Sequence, residues 1–146
     1  MTTELTKANN VSINAAESMN RFNTIASFDT TTTEGMAKAF NAGMGADHKV
    51  EDCIGEHINL VGFFIEVVDT VNDTTGEPEQ MPHVVLFADN GDTYEAFSVG
   101  MYSSTERLAR MISSNGLELD EEHPIEIEFK ARKAKLGRMY CFAIVA

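Results

Sequence analysis

Apolar and polar positions change rhythm several times along the chain. Residues 1–20, MTTELTKANNVSINAAESMN, offer few periodic apolar positions and read as a mobile arm. Ordered structure is expected from RFNTIASFD, where Phe22, Ile25 and Phe28 suit a strand or a docking segment. In TTTEGMAKAFNAGMG, Thr31 and Glu34 form a capping-box pattern, Met36, Ala39 and Phe40 share a helical face, and Gly43 and Gly45 stop the helix. INLVGFFIEVVDTV is β-branched and aromatic, and Gly62 inside it marks a long strand that bends. The polar VNDTTGEPEQMP reads as a loop, and HVVLFAD, Asn90–Gly91 and DTYEAFSVG read as a hairpin. A second helix is expected in MYSSTERLARMISSNG, capped by Ser103 or Ser104, lined by Leu108, Met111 and Ile112, and stopped at Asn115–Gly116. IEIEFKARK alternates strictly, with Ile125, Ile127, Phe129 and Ala131 on one face. After a turn at Lys135–Gly137, RMYCFAIVA forms the last strand.

Three strands, a helix and two more strands, with a bent first strand, is the order of an OB-fold. The expectation is a mainly β, OB-fold-like five-stranded Greek-key barrel with a helix between strands 3 and 4 and an N-terminal helical segment. A chain of 146 residues suits one domain, residues 21–146, behind the arm of residues 1–20. No long apolar run and no signal-peptide layout occur, so a cytoplasmic location and no membrane association are expected. Cys53 and Cys141, far apart in sequence, read as buried free thiols.

Charge changes the picture at one place. The formal net charge is −12, from 11 Lys and Arg against 23 Asp and Glu, yet Lys130, Arg132, Lys133, Lys135 and Arg138 crowd together near the end. No acidic residue follows Phe129, so the last 17 residues carry +5 and the first 129 carry −17. On the fourth strand of the expected barrel, Glu126, Glu128, Lys130 and Arg132 lie opposite the apolar set, turning from acidic to basic toward the tip. On the fifth, turning Arg138 outward also turns Tyr140, Phe142 and Ile144 outward, with Met139, Cys141, Ala143 and Val145 inward. Cations beside exposed rings are what phosphates and unstacked bases require, although charged hairpin tips are also common and an aromatic ring more often belongs to a core. Phe87, Tyr94 and Phe97 are further candidates. A two-residue turn at Asn90–Gly91 would pair Phe87 with Tyr94 on one face, whereas a three-residue bulged turn would pair it with Phe97.

Other chemistry is thin. Cys53 and His57 have one-turn spacing but no second pair to complete a zinc site. Asp89, Asn90, Gly91 and Asp92 lack the spacing and closing glutamate of a calcium loop, and the acidic run at Glu118, Asp120, Glu121 and Glu122 reads as solvated. His48, His83 and His123 fall near loops without a nucleophile at suggestive spacing. The expectation is therefore a protein without enzymatic activity, cofactor or metal.

SFDTTTTEGMAKAFNA, FADNGDTYEAFS and KARKAKLGRMYCFAIV together resemble the single-stranded-DNA-binding replication proteins of tailed bacteriophages of Gram-positive hosts, above all those of protein-primed replication. The strongest pieces are the FD-T-EG-FNA segment and the alternation of Tyr94, Ala96 and Ser98. The resemblance, over about residues 22–146, implies sequence-independent coating and protection of single-stranded DNA during phage replication. It places the basic hairpin and Tyr140 in the binding role. Phage replication proteins and further copies of the chain would be partners. The competing reading is an acidic protein-interaction module that mimics nucleic acid toward a host enzyme.

Overall fold

A computed structural model describes residues 22–133 and 139–146. The expected arm, the hairpin tip with Lys135 and Arg138, and the side chains of Met139 and Tyr140 lie outside the described residues.

The architecture is mainly β. In chain order the elements are β1 (Ile25–Ala26), α1 (Thr33–Gly43), β2 (His48–Lys49), a 3₁₀ turn (Val50–Asp52), β3 (His57–Val71), β4 (Pro78–Ala88), β5 (Thr93–Phe97), α2 (Val99–Ser114), β6 (Ile125–Lys133) and β7 (Met139–Val145). One curled sheet runs in the order β2-β5-β4-β3-β6-β7, with β1 on β3. The expected strand–strand–strand–helix–strand–strand order of an OB-like fold is present, with two short strands added. The sheet is a half-barrel: among the described residues, no ladder joins β5 to β7. Serines at the start of α2 bridge that gap: the cap residue Ser98 donates its Oγ hydrogen to the Cys141 carbonyl at 3.3 Å, and Ala143 N donates to Ser104 Oγ within the helix at 3.1 Å.

The bend falls where glycine announces it. The β3–β4 register shifts between Leu60 and Gly62. That bulge resets the parity of β3, so Ile58 and Leu60 before it and Phe63 and Ile65 after it all face the interior. They meet Val84, Leu86, Tyr94, Met101, Ile127 and Phe129 in one core. Outside the sheet, α1 lays Ala39 and Ala42 over Phe64, Val85 and Phe87 in a smaller cluster that also holds Phe28.

Several local expectations change. Thr32 rather than Thr31 caps α1, its hydroxyl accepting from Gly35 N at 3.0 Å. The small residues of α1 make its buried face, and Met36 and Phe40 are exposed, because only alanine and glycine let the helix approach the sheet. α2 begins at Val99 with Ser98 as its cap, so its buried face is Met101, Tyr102, Thr105 and Ala109, and Met111 is exposed. Residues expected in a loop before His83 extend β4 back to Pro78, where cross-strand pairing with β3 outweighs their polar composition. Cys53 is buried and Cys141 half-buried, both as free thiols. Val145, expected inside, is exposed at the end of β7.

Candidate nucleic-acid interface

The outward face of β6 and β7 follows from strict alternation. Phe129 and Ile127 fill the core, at 0% and 2% exposure, which forces Glu126, Glu128, Lys130 and Arg132 to the other side. The ladder places Phe142 opposite Lys130, Ile144 opposite Glu128, and Tyr140 opposite Arg132. The Arg132 guanidinium lies over the Phe142 ring, 4.9 Å from its centroid. Arg132 and Lys133 are exposed and Phe142 is half-buried. At the base of the same face, His57 meets Glu126 at 2.7 Å and Glu128 at 3.7 Å, and Lys130 reaches Glu128 at 3.7 Å. The acidic-to-basic gradient is therefore laid out along one face, with Glu126 held by His57 and Glu128 in reach of both His57 and Lys130.

The β4–β5 turn decides among the other rings. Ala88 N donates to the Asp92 carbonyl across Asp89, Asn90 and Gly91, with Gly91 in the left-handed region at φ 93°. This is the three-residue turn, and it pairs Phe87 with Thr93 and His83 with Phe97. Tyr94 consequently points inward, 5.5 Å from Phe129, with His48 stacked on it at 4.7 Å. Its faces are occupied by the core. Phe87 points outward but lies under Phe28 at 5.9 Å, and Lys38 Nζ sits 4.6 Å from both rings. Phe97, in contrast, is 58% exposed. It directly precedes Ser98, which bonds Cys141 beside Phe142, so Phe97 and Phe142 stand on neighbouring outward-facing segments.

Sequence reasoning passed over His83. It sits 2% exposed beneath Phe97, with Glu66 and Glu95 on its two ring nitrogens. The only sequence signal is register: the three-residue turn puts positions 83 and 97 side by side.

The weaker chemical candidates disperse. Cys53 is buried in the core, where burial, then Glu56 and Asp52, push its thiol above the ordinary value; His57 faces outward to Glu126. Asp89–Asp92 is the hairpin turn. Glu118, Asp120 and His123 bring donor atoms within 4.8 Å of one another, all exposed. There the Asp120 hydrogen bond raises His123 above its ordinary value, and Asp120 is lowered by the same bond.

The half-barrel of OB-like order thus sets Arg132 beside Phe142 on its outer face, with Lys130 and Lys133 on the same strand. The chain belongs to the phage single-stranded DNA-binding protein family of the φ29 type, whose model matches residues 17–142. No curated protein and no solved structure matches the chain significantly. Its class is thus single-stranded DNA binding in phage replication. Among the described residues, no helix is long and apolar enough to cross a membrane.

Proposed function

We propose that the chain coats and protects single-stranded DNA without sequence preference during phage replication, through the outward face of β6 and β7. The observation that carries this is the placement of Arg132 over Phe142, with Lys130 and Lys133 on the same hairpin. Cations there meet phosphates, while Phe142 and the neighbouring Phe97 offer ring faces to bases. Lys135, Arg138 and Tyr140 continue the strip toward the tip in sequence. Phe87 and Tyr94 act from beneath, as packing that fixes the strands.

The role is binding, not turnover, and the protein works in the host cytoplasm beside replication proteins and further copies of itself. Stacking and phosphate contacts read no base edge, so binding is tolerant of sequence. The test is a fluorescence titration with a mixed-sequence single strand, its duplex and its RNA equivalent. Tighter binding to the single strand, with a site of about 4–16 nucleotides per domain, is expected. Equal or tighter binding to the duplex would overturn the proposal. The charge of −17 on the first 129 residues favours the second reading, an acidic mimic presented to a host enzyme. That reading moves ahead if no single strand binds at all.

A further inference from the structure

His83 is the most buried histidine described, and both of its ring nitrogens are engaged. Nδ1 meets Glu66 Oε2 at 2.9 Å and Nε2 meets Glu95 Oε1 at 2.8 Å. Glu66 lies directly across on β3, and Glu95 lies on β5, so the ring is pinned at both ends by strands on either side of its own. Phe97 is its direct cross-strand neighbour on β5, with ring centroids 4.2 Å apart and planes only 5° from parallel. One face of Phe97 is thus covered by an imidazole that cannot rotate, while the residue remains 58% exposed.

Burying a ring between two carboxylates is a costly way to fill space, since apolar groups of similar volume usually stabilise a fold as well or better. What the arrangement produces is a phenyl ring held flat and largely exposed, next to the segment that carries Phe142. A platform fixed before the ligand arrives spares the ordering cost that a loose ring would incur on binding.

We propose that His83 is a positioning residue for base stacking: clamped by Glu66 and Glu95, it backs Phe97 as a platform on which one unpaired base of the bound strand stacks. This rests on the strand-binding reading above and assigns a particular subsite within it.

The experiment measures the affinity of the full chain for a mixed-sequence single strand and for an abasic strand of the same length. Phe97→Ala, His83→Ala, the double variant and Glu95→Ala are compared with the wild type, each at a temperature where circular dichroism shows it folded. Phe97→Ala is expected to weaken binding to the base-containing strand about 5- to 150-fold and to leave the abasic strand unaffected. His83→Ala is expected to reproduce most of that loss, with the double variant no weaker than Phe97→Ala alone. Glu95→Ala, which removes one pin at the side of the ring, should lose a smaller share and keeps the test open if His83→Ala fails to fold. Undiminished binding by the folded His83 or Glu95 variants, equal losses on the abasic strand, or additive losses in the double variant would overturn the proposal. In each of those cases a wild type that still prefers single strands to duplex leaves the strand-binding reading intact. Failure of that preference in the wild type sinks the reading itself.

Discussion

Removing Lys130, Arg132 and Lys133 together, each replaced by alanine, isolates the electrostatic part of binding. All three project from β6, and the fold asks little of them. Lys130 gives up a long contact to Glu128, and Arg132 gives up its place over Phe142. An exposed ion pair and an exposed cation–π contact are each worth about 1 kcal/mol or less, so the loss of stability stays below about 2 kcal/mol. For binding, each phosphate contact on a single strand contributes about 0.7 to the slope of log affinity against log salt, so three lost contacts reduce the slope by about 2. If binding at about 1 M salt is unchanged, that difference amounts to roughly a 50-fold weakening at about 0.15 M. Anisotropy titrations of a labelled single strand across a salt series measure both quantities. Arg132→Lys is the control, since it keeps the charge, and hence the slope, while losing the planar group that covers the Phe142 ring. An unaltered slope and affinity in the triple variant would refute the reasoning and leave the basic strip as a solubilising hairpin.

Deleting residues 1–20 is expected to leave the melting temperature nearly unchanged, and a drop of several degrees in a thermal scan would show that the arm packs on the domain. Gly35→Ala should destabilise the protein by several kcal/mol, because a Cβ there meets the Asp29 carbonyl, so the start of α1 must shift and take Ala39 and Ala42 off their seat on Phe64 and Val85; a denaturant midpoint equal to wild type would contradict this. His123 should titrate above 6.5 by NMR, chiefly through its hydrogen bond to Asp120, and Asp120→Asn should lower its midpoint. With His123 raised and Asp120 lowered, the stability from their contact is lost as pH rises through the His123 midpoint and again as it falls through that of Asp120. A His123 midpoint unmoved by Asp120→Asn would refute the assignment.

Strand order and outward parity were legible because alternation survives in any register. Ile125, Ile127 and Phe129 against Glu126, Glu128 and Lys130 admit one sensible orientation, and Gly62 marks the bend by its lack of a side chain. The helices were less legible. Both caps fell away from the expected residues, since Ser, Thr and Asp cluster at each start and tertiary packing chooses among them. The buried face of α1 is small rather than large, which reverses the usual inference from Met36 and Phe40. The β4–β5 face depended on a single residue of turn length: Asn90–Gly91 suits a two-residue turn, but Asp89 joins it, and that slip sends Tyr94 inward and Phe97 outward. The His83 clamp was hidden for the same reason, since Glu66, His83, Glu95 and Phe97 become neighbours only once three strands are in register.

The central claim is that a single strand lies along the outward face of β6 and β7 and reaches Phe97. Ultraviolet cross-linking of the full chain to a mixed-sequence single strand, followed by mass spectrometry of the peptides, tests it most directly. Cross-links at Phe142 and Phe97 and within residues 130–142, lost at high salt and absent with duplex, are the predicted result. Cross-links confined to α2 or to the acidic residues 118–122, with none on the β6–β7 hairpin, would contradict it.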